Sequence, residues 1–201
     1  MSTDVDIGNM ALSRLGTRAT IAALDENSTE ARALNTHYTT VRDGLLRARN
    51  WGFARVTRAL ALSGTAPTRW LYSYALPSGC LNFLKIDDGF PADDIPDPSR
   101  ISKEIGSDGS SSFLWTNQPE AVGIFTQRVT DPNRMDPLFV VAFVDGLAAA
   151  VAYPITQKTE VAARMESRAA RSLDVASAAN ANEGSTNNWA EFEADAIRAR
   201  S

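Results

Sequence analysis

Residues 138–155 read LFVVAFVDGLAAAVAYPI, an apolar run with one charged residue, Asp145. Its length approaches that of a membrane-spanning helix. Asp145-Gly146 stands in the middle of the run, however, and Pro154 near its end. A central carboxylate is costly in lipid. The run therefore reads as a buried helix over residues 137–156. Pro137 falls in the first turn, where proline is tolerated. Pro154 is expected to end or kink the helix.

Three further segments carry one apolar face at helical spacing. In residues 5–15, Val5, Ile7, Met10, Ala11 and Leu15 fall close to one face, and Gly16 suits the stop. Asn27 with Glu30 three positions on reads as a capping box. Behind it Ala31, Leu34, Tyr38, Val41 and Leu45 recur at spacings of three and four. Arg32, Arg42, Asp43, Arg47 and Arg49 lie mostly off that stripe, and His37 lies beside it. Residues 158–179 repeat the pattern with Val161, Met165, Ala169, Leu173 and Ala176. ANANEGSTNN then reads as a linker before WAEFEADAIRARS.

The period changes within RARNWGFARVTRALAL, residues 47–62. Gly52 helps a helix end and the chain turn. Trp51 and Phe53 offer large surfaces for burial there. Beyond them Ala54, Val56, Arg58, Leu60 and Leu62 alternate with Arg55, Thr57 and Ala59, as in a strand. WLYSYAL (70–76), CLNFLKI (80–86), ISKEI (101–105), SFLWT (112–116) and AVGIFTQRV (121–129) are further strand candidates. Turn residues separate them, which predicts a small sandwich or barrel. The expected class is α+β. Residues 1–50 and 137–181 form an antiparallel bundle of four main helices, because each helical half has a single apolar face to bury. Residues 51–136 form an inserted antiparallel β domain, and 182–201 a C-terminal extension.

Nothing in the chain announces a reaction. A formal net charge of -4 lacks the basic excess of a protein that grips DNA by its phosphates. The single cysteine, Cys80, sits among apolar residues and excludes an intrachain disulfide. The single histidine, His37, lies mid-helix with no nucleophile-elbow sequence to serve. Asp87, Asp88, Asp93, Asp94 and Asp97 crowd one loop, but their spacing fits no EF-hand. They read as a solvated acidic loop, with cation binding as the alternative. GSDGSSS (106–112) lacks both phosphate-loop patterns and reads as a hairpin tip. No catalytic, metal-binding or cofactor-binding residue is expected. In the tail, Trp189, Phe192 and Ile197 are apolar amid Glu191, Glu193, Asp195, Arg198 and Arg200. An amphipathic segment after a soft linker suits docking onto a partner groove, or packing back on its own bundle.

Taken in order, three stretches carry a resemblance: ALSRLGTRATIAALDENSTEARALNTHYTTVRDGLLRARNWGFA (11–54), WLYSYALPSGCLNFLKI (70–86) and the helix pair 137–179. They resemble the tail tubular protein A, or head-to-tail adaptor (gatekeeper), family of short-tailed bacteriophages. An LxxLG helix is matched by Leu12, Leu15 and Gly16, and an acid-rich turn by Leu24, Asp25 and Glu26. A WxFA junction is matched by Trp51, Phe53 and Ala54, and a Y-x-LP strand by Tyr74, Leu76 and Pro77. Loop 87–112 and the tail match no such pattern.

The resemblance implies a structural virion protein of the phage neck, assembled in the host cytoplasm and neither an enzyme nor a membrane protein. It implies a ring, usually dodecameric, joined to the portal protein by its helical part and to the tail nozzle by its β part. The tail with Trp189, Phe192 and Ile197 would reach into the portal, and double-stranded DNA would pass through the bore without sequence preference. A net negative charge is in keeping with a bore that repels phosphates. A tail-completion or stopper protein is the alternative within the same class.

Overall fold

The computed structural model describes residues 3–87, 101–108 and 111–184. Among these, the chain runs α1 (Asp4–Arg14), α2 (Thr29–Ala48), β1 (Arg55–Ala59), β2 (Tyr72–Ala75) and β3 (Cys80–Ile86). It continues with β4 (Lys103–Ser107), β5 (Ser112–Thr116), β6 (Val122–Gln127), α3 (Pro137–Thr156) and α4 (Thr159–Gly184). The class is α+β. The described residues divide into two compact units, one holding those up to Phe53 and from Val129 onward, the other Ala54–Arg128.

In the first unit α3 is the element on which α1, α2 and α4 all pack. Phe139, Phe143, Leu147, Ala148 and Val151 are fully buried along it, as an apolar helix without a polar face requires. α3 is long and apolar enough to cross a membrane by composition, with a mean hydropathy of 2.0. Its neighbours here are the other helices. Asp136 caps it by accepting from the amides of Leu138 and Phe139. Pro154 does not end it. The helix runs on to Thr156 and stops where Gln157 turns left-handed, at φ 57°. A proline this near the C-terminus leaves few helical bonds to disturb.

α1 opens with a reciprocal cap in which Thr3 accepts from the Asp6 amide and the Asp6 carboxylate accepts from the Thr3 amide. It ends before Gly16, whose φ of 76° favours glycine. Ile7, Ala11 and Leu15 face inward as expected, whereas Met10 is 39% exposed and Leu12 is buried in its place. The α2 cap is displaced by one. Ser28, not Asn27, accepts from the Ala31 amide at 3.2 Å. Glu26 holds the loop before it, accepting from the Ala22 and Ala23 amides and the Ser28 hydroxyl.

Those bonds, the Ala22 amide first, hold the Glu26 carboxyl below its ordinary value of 4.5. A lowered folded-state value means stabilisation that is complete above 4.5 and lost as pH falls through the lowered value. The Ala22 amide shift is therefore expected to titrate with a midpoint below 4.5 by NMR. A midpoint at or above 4.5 would contradict the bond.

On α2 the buried residues are Ala31, Leu34, Tyr38, Arg42 and Leu46. Val41 and Leu45 are only half-buried, and Arg42 takes the place expected for Val41. The Arg42 guanidinium pairs with Asp43 at 3.0 Å, so its charge is compensated where it is buried. The Tyr38 ring packs edge-on to Phe143 with centroids 5.0 Å apart, and its hydroxyl donates to Asp4. Burial and that bond push the phenol far above its ordinary value of 10, so it stays neutral. α4 continues to Gly184 through residues expected to be linker.

The second unit has two antiparallel three-stranded sheets among the described residues, in the orders β1-β6-β3 and β2-β5-β4, and no closed barrel. Tyr74, Phe83, Ile86, Leu114 and Phe125 come from both sheets and share one core with Leu60 and Ala121. Two small sheets around one shared core, with no closed barrel, are what the described residues form. β1 is shorter than its alternation predicts. Ala54 belongs to a 3-10 turn, and Leu62 is 68% exposed with a single bridge to Tyr74. GSDGSSS spans the end of β4 and the start of β5, which pair from Ser107 opposite Ser112.

Gly123 lies in β6, the middle strand of its sheet, and a Cβ there would stand 2.7 Å from the Phe83 ring. Gly123→Ala is expected to cost about 1–3 kcal/mol through this overpacking. A denaturant melt that leaves the midpoint unchanged would show that the core yields freely.

Candidate functional site

A carboxylate in the middle of an apolar helix must find cations or carry a heavy desolvation cost. Asp145 is 2% exposed and finds two. Arg14, in the last turn of α1, brings its Nε to 3.1 Å of Oδ1. Arg168 of α4 brings its own to 3.0 Å of the same oxygen. The two guanidinium side chains are 38% and 42% exposed, so the pins are anchored in the core and open to water at their outer ends. One side chain thereby ties α1, α3 and α4 together.

Asp145 and Arg168 also border an open groove of about 350 Å³, completed by Leu138, Val141, Arg171, Ser172 and Val175. Leu138 is 39%, Val141 41% and Val175 61% exposed. Arg171 stands exposed beside them, with no ion-pair partner among the described residues. The Ser172 hydroxyl donates to the Ala169 carbonyl of its own helix. The groove holds no nucleophile paired with a base. It has apolar walls, formed by Leu138, Val141 and Val175, and a cationic edge at Arg168 and Arg171.

The junction residues Trp51, Gly52 and Phe53 lie in the helical unit. Trp51 is 1% exposed, its ring edge-on to Phe139 at 5.0 Å, and its Nε1 donates to the Leu45 carbonyl at 2.8 Å. Phe53 meets Phe139 at 5.0 Å as well. Gly52 opens a 3-10 turn and has no left-handed φ, so the turn does not require glycine there. What holds the turn is Asn180 of α4. Its amide nitrogen donates to the Asn50 carbonyl, and its oxygen accepts from the Gly52 amide, both at 2.8 Å.

Of the other singled-out residues, Trp189, Phe192 and Ile197 lie outside the described residues, as do Asp88, Asp93, Asp94 and Asp97. Asp87 follows β3 directly, and its amide donates to the Val122 carbonyl at 2.7 Å. His37 is half-buried on α2, and Cys80 half-buried at the start of β3. Among the described residues, no three side chains of His, Cys, Asp or Glu gather where they could hold a metal ion.

Sequence reasoning passed over Arg14, Arg168 and Asn180, and used Asp145 only as an argument against lipid. The signal for Asp145 was present, since a lone acid on a buried helix demands a partner. Nothing local names that partner, because Arg14 and Arg168 are two arginines among many. The sequence matches no protein-family model, and it matches no curated protein.

Proposed function

We propose that the chain is a structural virion protein, a ring-forming head-to-tail adaptor that joins the portal to the tail nozzle and lets DNA pass through its bore. The observation that carries this reading is the ordered set of sequence motifs. Leu12, Leu15 and Gly16 come first, then Trp51, Phe53 and Ala54, then Tyr74, Leu76 and Pro77. Their roles in the molecule support it. Leu12, Trp51, Ala54 and Tyr74 are core residues, and Gly16 takes the left-handed turn that ends α1. Motifs made of core and turn residues mark a shared fold, and a fold carries function only by analogy.

In this reading the helical unit is an antiparallel bundle that meets the portal, and the β unit is an insertion that meets the nozzle. Trp189, Phe192 and Ile197 anchor the tail in the portal as buried aromatic and aliphatic side chains do at interfaces. No reaction and no cofactor is involved.

The test is native mass by mass photometry, on the protein alone and after mixing with the portal ring of the same phage. Expected is either a monomer that joins the portal as a defined ring, or a preformed ring that docks on it. A protein that ignores the portal alone but joins a portal already bearing an adaptor would be a stopper. A protein that joins neither would end the adaptor reading.

A further inference from the structure

We infer that Asn180 works as a latch: the exit of α2, residues 49–53, and the last two turns of α4 close and release as one element, so an event at either is felt at the other. This requires nothing from the adaptor reading.

α2 ends without a left-handed cap. Its C-cap, Arg49, is already extended, at φ -143° and ψ 163°. The Asn50 carbonyl and the Gly52 amide then point to one side, since a single carboxamide meets both. A carboxamide carries a donor and an acceptor, as a peptide group does, so Asn180 stands where a neighbouring strand would. Its nitrogen donates to Asn50 and its oxygen accepts from Gly52, each at 2.8 Å. A hydroxyl offers one atom for this task, and a carboxylate only acceptors.

The dependence runs the other way as well. Ala176 is the last buried residue of α4 among those described, and residues 177–183 are half-buried or exposed. Apolar burial does little to hold these turns, and Asn180, Asn182 and Gly184 are weak helix formers. Contacts with the exit of α2 supply what burial does not. Besides the Asn180 pair, Arg49 donates its Nε to the Ser177 hydroxyl at 3.0 Å and brings Nη2 to 4.0 Å of Asp174. These bonds are open to water, so the segment belongs to the low-stability end of its unit and opens without the core.

Each side holds the other, and coupling of that kind is reciprocal. Phe53 is the last residue of this stretch in the helical unit, and Ala54 the first of the β unit. A closed latch fixes the course of the chain up to that boundary. An open one leaves it to the packing of Trp51 and Phe53 on Phe139. What binds the end of α4 therefore acts on the chain that enters the β unit.

The test is amide hydrogen exchange by NMR on the full chain. Ala181→Gly weakens the helix at an exposed position whose methyl side chain bonds to nothing. It is expected to speed exchange at the Gly52 amide about five-fold, with Phe143 and Leu147 of α3 unchanged. Asn180→Ala removes two hydrogen bonds and is expected to speed exchange about ten-fold across residues 178–182 as well as at Gly52. Alanine is the better helix former, so without a latch the same change would slow exchange over 178–182.

An unchanged Gly52 amide in Ala181→Gly would overturn the proposal. Slowed or unchanged exchange over 178–182 in Asn180→Ala would overturn it too. Equal acceleration at Leu147 would do the same, since the whole unit would then be opening. Neither variant is measured with the portal, so failure here leaves the adaptor reading standing, and failure of portal binding leaves the latch untouched.

Discussion

Trp51→Ala is expected to lower the free energy of unfolding by about 3–5 kcal/mol, among the largest effects of any single change in the helical unit. The indole is 1% exposed and packs against Phe139, which is itself fully buried. Truncation opens a cavity beside Phe139 and Phe53 that the rigid start of α3 fills poorly. It also leaves the Leu45 carbonyl without its 2.8 Å donor, and an orphaned acceptor adds about 1–3 kcal/mol within that total. The measurement is a urea or guanidinium melt followed by far-ultraviolet circular dichroism. Trp51→Phe separates the two causes. It keeps most of the ring volume and loses the donor, so it is expected to cost about 1–2 kcal/mol. A loss below about 1 kcal/mol for Trp51→Ala would mean that the junction repacks around the gap, and the packing argument would be wrong.

The second large effect belongs to Asp145 and is strongly non-additive. Arg14→Ala and Arg168→Ala are each expected to cost about 1 kcal/mol, because each guanidinium is partly in water and the other still faces the carboxylate. Together they are expected to cost about 3–5 kcal/mol, because a buried carboxylate is then left without a cation. Adding Asp145→Ala to the double variant is expected to recover part of the loss by removing the stranded charge. A double-mutant cycle on folding free energy reads all three terms. Strict additivity of the two arginines, with no recovery on removing Asp145, would show that the carboxylate does not organise the three helices.

Both effects sit on contacts that connect distant parts of the chain, and this separates what the sequence predicts from what it does not. The helix boundaries at Pro137 and Thr156 follow from local chemistry, as does the stop at Gly16. Each depends on residues a few positions apart, and local rules cover that range. The strand SFLWT was read to the residue for the same reason. The errors came where two local readings competed. Asn27 and Ser28 are equally good caps, and only the course of the loop through Glu26 chooses Ser28. ANANEG has a linker's composition, yet it continues α4 because Asn180 is held by the backbone at Asn50 and Gly52. Composition reports average preference, and a pair of tertiary hydrogen bonds outweighs it.

The buried face of α2 shows the same limit. Periodicity names Val41, whereas packing buries Arg42, since a long side chain can bury its stem and pair its charge with Asp43.

By itself, the sequence determined the class, the order of elements and some helix ends, Pro137 and Gly16 among them, because these rest on the preferences of neighbouring residues. It also placed a lone carboxylate, Asp145, in the middle of an apolar run. Which cations answer it was decided by the tertiary structure alone, together with the aromatic that receives Trp51 and the apolar strip that α3 and α4 expose among the described residues. The physical reason is common to all three. An apolar stripe states how much surface a helix must bury and on which side. It carries no mark of the partner, because hydrophobic burial is non-directional and every apolar face satisfies it. Choice among partners comes from shape, from charge and from the connections between helices, and these exist only once the chain has closed on itself.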